Sequence, residues 1–490
     1  MLQRLATNSA ASRWLFFIAG AAALCFSNGI HANVFAAWLA PVLLLRFFMT
    51  SGALVGFALT SVASASAAFF MFRGAIPMPD AEYAIASAIS GVIGALPYVI
   101  HRLIAPKLVG LPASLVFPTA GVTLAYGLSL ASPFGTWGND AYVQLPFLPL
   151  VQLASLTGVW GIAFVVMWFA SAVQPLFDTR APRVIMPIAG FSVCVVAILG
   201  YGGWWIYTSP RDETVRVAAL SNPAELSDRF FEGCGARDDY ACRVANSAAR
   251  LDSLFALSQT AAREGAALIV WYEGAAQFDA QSEQVFIDRA RSFAQSQGVV
   301  LITGVVSIPN DSDALMHNKA LVFTPDGNVA LEYLKSVPVP GEPIIAGEGR
   351  VTTLATPFGR IAVVICFDAD FPALARQAAL QRADLLVIPS NDWRAITPLH
   401  GEMSVMRGIE GGFGVLRAAS NGLSVAANAN GVRLASNDSF ASPGAIMYAE
   451  MPMAHRRTLY GQAGDYFAHA CIAIFLLLVI AGVCSALVRR

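Results

Sequence analysis

The chain has 490 residues, 56% of them hydrophobic and only 13% charged, against about 25% charged in an ordinary soluble domain. Thirty-one Lys and Arg balance 32 Asp and Glu, a formal charge of −1. Such a composition excludes an ordinary soluble enzyme, a disordered chain, and a nucleic-acid binder relying on a basic excess.

Charge is divided unevenly along the chain. Residues 1–207 hold eight Lys/Arg and four Asp/Glu, residues 208–465 hold 21 and 28, and residues 466–488 hold none. A membrane span takes about 20 apolar residues. Seven spans are predicted before the charged region, at 14–30, 34–49, 51–72, 84–104, 113–131, 150–174 and 184–207, and an eighth at 466–488. The expected organisation is a helical membrane domain at 1–207, an α/β domain at 208–465 and a closing anchor at 466–490. The first two spans are short, and Ser27-Asn28-Gly29 is a weak turn that suits a tight hairpin. The start is similar to a signal peptide, but the spans that follow at once favour an uncleaved anchor.

Basic residues set the expected orientation. With the N-terminus in the cytoplasm, the cytoplasmic segments hold Arg4, Arg13, Arg46, Arg102, Lys107, Arg180, Arg183, Arg489 and Arg490, and the short outer loops only Arg73. Residues 208–465 would then lie outside the cytoplasm. No span carries the ionisable chain of a proton or ion pathway, which weighs against a transporter. The loop Ser132 to Asp140 reads as an interfacial turn, with a lipid-headgroup rim as the alternative.

In the charged region, short β-rich runs at 215–220, 267–272, 299–306, 319–324, 361–366, 384–389 and 423–427 alternate with helical stretches at 240–263, 281–297 and 371–382. Pro325-Asp326-Gly327 joins 319–324 to 329–334 as a hairpin. A layered α/β domain is expected. Glu273, Lys335 and Cys366 each stand where such a run stops, the place where a sheet presents side chains to a site. Together they make a set for acyl transfer: a thiol nucleophile, a carboxylate base and an ammonium to hold an oxyanion. Taken singly, Cys366 reads rather as a small core residue, and Glu273 and Lys335 as solvated strand caps; the ordered triple is the stronger signal.

The order Glu273, Lys335, Cys366, with the segment I-C-F-D-A-D-F-P-A-L-A-R at 365–376, resembles the nitrilase superfamily of carbon–nitrogen hydrolases. The layout of seven spans, an outer domain and a last span is similar to that of its membrane-bound branch, the apolipoprotein N-acyltransferase family. Segments 155–164, 389–393, 406–422 and 457–467 resemble that family too. The resemblance implies an αββα sandwich on an eight-helix bundle in the bacterial inner membrane, facing the periplasm. It implies that Cys366 takes an acyl chain from a phospholipid as a thioester and passes it to the amine of a diacylglyceryl-cysteine apolipoprotein. Glu273 would be the base, Lys335 the oxyanion stabiliser and Glu342 a supporting carboxylate, with Phe367 and Trp393 at the substrate. The alternative is a membrane-anchored nitrilase-type amidase; a third reading is an inactive scaffold.

The chain departs from the family pattern in places. Trp271-Tyr272-Glu273-Gly274 stands for Trp-Pro-Glu-Thr, K-S-V-P-V-P-G-E is one residue short and lacks a His, and Phe367-Asp368 replaces Tyr-Glu. Ile344 and Ile345 in the 341–350 loop, with Trp393, read either as an apolar lid or as core. Cys234 and Cys242 suit a local disulfide outside the cytoplasm. They lack zinc-ligand spacing, and no phosphate loop or dinucleotide fingerprint is present, so neither a metal nor a cofactor is expected. His317 and His400 are isolated histidines that could lie near the site, and His455 with Arg456 and Arg457 reads as a basic interface anchor.

Overall fold

The computed structural model describes residues 10–177, 185–209, 213–222, 240–309 and 315–488. They fall into two compact units, residues 1–208 with 463–490, and residues 209–462.

The first unit is helical. In chain order its main helices are α1 (Ala10–Leu24), α2 (Val34–Thr50), α3 (Ala53–Met71), α4 (Asp80–Ile104), α5 (Leu111–Ala131), α6 (Val159–Val173) and α7 (Ile185–Tyr207), with a C-terminal helix at Tyr466–Val488. Among the described residues six helical stretches are long and apolar enough to cross a membrane: α3, α4, α5, α6 with its extension to Phe177, α7 and the C-terminal helix. At 15 and 17 residues, α1 and α2 fall short of that length. The stretch expected as one span at 150–174 is instead broken: short turns at Leu148–Val151 and Ala154–Thr157 precede α6. Gly158, at φ +64°, leaves the right-handed helical region and ends the first part. Small residues let helices approach: a Cβ on Gly91 of α4 would lie 2.5 Å from the Ser61 carbonyl oxygen on α3. Asn28 donates to the Gly138 carbonyl (2.8 Å), tying the weak turn to the loop at 132–140.

The second unit is a sandwich of two sheets. Its strands are β1 (Thr214–Leu220), β2 (Leu268–Val270), β3 (Ala276–Phe278), β4 (Val300–Ser307), β5 (His317–Phe323), β6 (Val329–Leu334), β7 (Thr353–Thr356), β8 (Gly359–Val363), β9 (Leu385–Asn391), β10 (Gly414–Ser420), β11 (Leu423–Ala427), β12 (Arg433–Asp438) and β13 (Ile446–Pro452). One sheet runs β13-β1-β2-β4-β5-β6 with β3 beside β4, and the other β12-β11-β10-β9-β8-β7. The inner faces share a core in which Val217, Val270, Ile302 and Val322 of one sheet meet Ile361, Leu385, Val387 and Val415 of the other. Helices α8 (Tyr240–Arg263) and α9 (Ala280–Gln297) cover the outer face of the first sheet through Leu254, Phe255 and Phe286. Helices α10 (Pro372–Leu380) and α11 (Leu399–Gly411) pack together, with α11 on β10 and β11 of the second. The layers are therefore α, β, β and α, which is the expected αββα order.

Strands β2 and β4 of one sheet and β9 of the other have parallel neighbours and are buried on both faces, which explains their apolar runs. Strand β12, exposed or half-buried throughout, and β13, which alternates with buried positions, escaped the sequence reading. So did β10, whose apolar run is interrupted by the buried Arg417.

Candidate active site

Glu273 follows β2 by three residues, in a turn that Gly274 (φ +66°) completes. The backbone there is held to β4: Trp271 N donates to the Ile302 carbonyl (2.8 Å) and Ala275 N to that of Gly304 (2.8 Å). The approach is so close that a Cβ on Gly304 would lie 2.4 Å from the Tyr272 carbonyl oxygen and 2.7 Å from the Glu273 Cα. Both obstructions are backbone, so Gly304→Ala must displace the glutamate. A fall of at least tenfold in turnover is expected, in a protein that still folds and binds detergent normally; an activity assay on the purified variant checks it.

Lys335 is the residue after β6. Its backbone N donates to the Asn318 carbonyl on β5 (2.9 Å), continuing the ladder by one residue. The ammonium is fully buried, 2.9 Å from Glu273 Oε1 and 2.9 Å from Glu342 Oε2. Burial opposes its charge, but Glu273 and then Glu342 outweigh that and hold the lysine protonated well above its ordinary range. Glu273 also accepts from Asn318 Nδ2 (2.7 Å) at Oε1 and from Asn391 N (2.9 Å) at Oε2. Glu342 accepts from Val339 N at 2.9 Å, which shapes the turn that carries it back to the lysine.

Cys366 lies beyond the end of β8 rather than on it. The parallel pairing with β9 ends at Val363, and Cys366 opens a short 3₁₀ turn, Cys366–Asp370, at φ +47°. That left-handed conformation costs a residue with a Cβ about 1–3 kcal/mol and aims the side chain off the strand line. Its sulfur is 3.7 Å from the Asn391 carbonyl oxygen at the end of β9. Burial, and then the charge of Glu273, push the thiol pKa well up, against a smaller opposing effect of Lys335. The resting group is thus a thiol that needs a base to become a nucleophile.

Asp368, a departure from the family pattern, binds the turn to the lysine loop. Its buried carboxylate accepts from Tyr333 Oη (2.8 Å) and from the backbone N–H groups of Ser336 (3.1 Å), Val337 (2.8 Å) and Ile365 (3.1 Å). Burial raises its pKa to about 6, held down from higher by those hydrogen bonds.

On the other side of the turn lies a buried ionic cluster that the sequence did not reveal. His400 on α11 sits 3.1 Å from Asp370 Oδ1 and 2.8 Å from Asp392 Oδ1, and Arg417 of β10 reaches the same Asp392 oxygen at 2.7 Å. Arg417 also donates to the Leu423 carbonyl. Burial opposes the imidazolium, but Asp370 and Asp392 raise its pKa to about 9. Asp392 is held at about 2 by Arg417 and His400 against its own burial. Cys366, Asp392 and His400 place one donor atom each within 4.8 Å of one another. The guanidinium of Arg417 shares that space, 3.0 Å from His400 Nδ1, and both imidazole nitrogens already face carboxylates. This donor set does not fit a cation.

The signal in the sequence was the lone Arg within V-L-R-A-A-S; an unsolvated arginine in an apolar strand requires a buried acid. The raised His400 pKa has a consequence for stability. An imidazole near 6.5 unfolded and about 9 folded contributes fully below pH 6.5 and is lost as pH rises through 9. The thermal midpoint in detergent is expected to fall between pH 6.5 and 9, and His400→Gln to flatten that slope; an unchanged slope would rule the cluster out as its source.

Of the residues singled out from sequence, Glu273, Lys335 and Glu342 meet directly, and Cys366 is electrostatically coupled to Glu273 and Lys335. Phe367 is buried edge-on against Phe371. Trp393 is half-buried beside the Arg394–Ile396 turn. Ile344 packs into a small core with Val306, Ile308 and Met316, whereas Ile345 is exposed, so the two isoleucines do not act as one lid. His317 opens β5 in an exposed position. Cys242 is disulfide-bonded; Cys234 lies outside the described residues.

Beside Glu273 opens a cavity of about 270 Å³, whose wall includes Tyr272, Gly274, Gln277, Asn318, Glu342 and Asn391.

Residues 236–459 match the carbon-nitrogen hydrolase family. The chain is 26% identical to the apolipoprotein N-acyltransferase of Geobacter metallireducens over 74% of its length and 73% of that protein's. It is 25% identical to that of Pseudomonas syringae over 66% of this chain and 63% of the relative. With the Synechocystis protein of the same name it shares 30% identity over 33% of its length and 30% of the relative's.

Proposed function

Because the chain is a relative of the apolipoprotein N-acyltransferases and carries a carbon–nitrogen hydrolase domain, we propose that it transfers a phospholipid acyl chain, through a Cys366 thioester, to the N-terminal amine of diacylated lipoproteins. The observation that supports this reading is the meeting of Glu273, Lys335 and Glu342, with Asn391 linking it to Cys366: its N–H donates to Glu273 and its carbonyl lies 3.7 Å from the sulfur.

In this mechanism Glu273 takes the thiol proton as the sulfur attacks the ester carbonyl of the donor lipid. The oxyanion forms near the Lys335 ammonium, which Glu273 and Glu342 keep charged. Collapse breaks the C–O bond, and the lysophospholipid oxygen leaves with the proton from Glu273. The acceptor amine then attacks the thioester and yields a proton to Glu273. The C–N bond forms, the C–S bond breaks, and the proton returns to the sulfur.

Physical chemistry also favours a membrane-borne enzyme for this reaction. Both substrates hold their chains in the bilayer, at about 0.8 kcal/mol for each buried CH₂. An enzyme for small soluble amides would gain nothing from its apolar helices. We read all eight apolar segments as spans and the hydrolase-like unit as facing the periplasm, on the distribution of Lys and Arg.

Mass spectrometry of lipoprotein N-termini in a bacterial strain depleted of this protein tests the reading. Accumulation of diacyl forms is the expected result, reversed by the intact gene. Unchanged triacyl forms would point to an amidase with another substrate.

A further inference from the structure

The cavity beside Glu273 has a wall chemistry that selects between the two substrates. Its side chains include five carboxamides, of Asn222, Gln277, Asn318, Asn391 and Asn421, and one arginine, Arg250. Asn318 is fixed in orientation, because its Nδ2 donates to the Glu273 carboxylate at 2.7 Å. Its Oδ1 must therefore face away from Glu273. That oxygen and the Oε1 of Gln277 are buried and accept no hydrogen bond from the described residues. Tyr272, where the family has proline, donates to Asn222 Oδ1 at 2.9 Å and fixes that amide as well.

A buried acceptor left unpaired is destabilising, so an occupant that donates N–H is stabilised there. A phosphate diester offers acceptors only. It would leave both oxygens unpaired and would stand beside the carboxylates of Glu273 and Glu342. A peptide end offers N–H groups to the carboxamide oxygens and a carbonyl to Arg250. Its primary amine yields a proton to Glu273, while the peptide N–H groups behind it can donate to Asn318 Oδ1 and Gln277 Oε1.

We propose that this carboxamide-lined cavity is the acceptor subsite, which seats the amine-bearing peptide end of the lipoprotein with Gln277 Oε1 and Asn318 Oδ1 receiving its N–H groups. The proposal rests on the acyl-transfer reading above and adds where the acceptor binds.

The two half-reactions separate the claims. The full chain in detergent is incubated with a phospholipid, and the acyl adduct on Cys366 is followed by intact mass. A synthetic diacylglyceryl-cysteine peptide is then added and adduct loss is measured against its concentration. Gln277→Leu is expected to raise the peptide concentration for half-maximal discharge about tenfold relative to the rate of adduct formation. Gln277→Glu, which keeps an acceptor oxygen, is expected to stay within about threefold of the unmodified protein. If the leucine variant misfolds and forms no adduct, the closer isostere Gln277→Met supplies the same comparison. Adduct formation with unaltered discharge in Gln277→Leu would overturn the acceptor subsite alone. Loss of adduct formation in step with discharge, in a folded Gln277→Met, would assign the cavity to the donor and equally overturn it. Absence of any adduct in the unmodified protein would overturn the acyl-transfer reading itself.

Discussion

Cys366→Ala is expected to lower acyl transfer by at least about four orders of magnitude, the scale at which loss of an enzyme nucleophile is felt. The change is a small one for the fold. The thiol is buried and uncharged at rest, its one hydrogen-bond contact among the described residues is the long 3.7 Å approach to the Asn391 carbonyl, and alanine fills most of its volume. The turn at Cys366–Asp370 is held by its backbone and by Asp368, which accepts from the N–H groups of Ile365, Ser336 and Val337 whatever residue stands at 366. Stability should therefore change by about 1 kcal/mol or less while chemistry stops. Intact-mass measurement after exposure to phospholipid should show an acyl adduct on the unmodified chain and none on the variant. Turnover within a hundredfold of normal in Cys366→Ala would remove the thioester from the mechanism.

Lys335→Met should act on both stability and rate. The ammonium is the counter-charge shared by Glu273 and Glu342, and it is fully buried. Methionine has a similar shape but leaves two carboxylates facing each other. Breaking a buried pair in this way costs about 3–5 kcal/mol. The lower end applies here, because the side chain of Glu342 is 37% exposed and water can screen it. Rate should fall by a further factor of about 10²–10³ through loss of oxyanion stabilisation. The double variant Lys335→Met with Glu342→Gln separates the two effects: the thermal midpoint should largely recover, while turnover should not. Recovery of turnover along with stability would mean that the lysine serves the fold alone.

Both predictions involve residues that could be found from sequence, and the reason is the character of the strands that carry them. β2, β4 and β9 are short apolar runs buried on both faces, so the polar residue that follows such a run is conspicuous. Glu273 was legible for that reason, and Lys335 as the charge that closes the second strand of the hairpin, the partly exposed β6. So was a layered α/β domain, since β runs alternate with amphipathic helices; the αββα order itself was implied by the family resemblance. The hairpin at 319–334 was legible from Pro325-Asp326-Gly327 alone. In the helical unit, hydropathy located the apolar segments, but not the break at Gly158, which depends on a backbone angle rather than on apolarity.

What only the tertiary structure decided was which side chains face one another across sequence distance. Asp370, Asp392, His400 and Arg417 come from a turn, a strand end, a helix and a strand, and no spacing rule links them. Asn318 and Gln277 are ordinary strand residues until β5 and β3 flank β4 and set them in the wall beside Glu273. The sequence determined that this chain joins an apolar helical part to an α/β part and places an acid, an amine and a thiol at strand ends, because burial and periodicity are local properties written residue by residue. The left-handed turn at Cys366, the carboxylate of Asp368 that clamps it and the polar cavity at Glu273 are products of long-range packing, where a charge can be buried only once a distant partner has been brought to meet it.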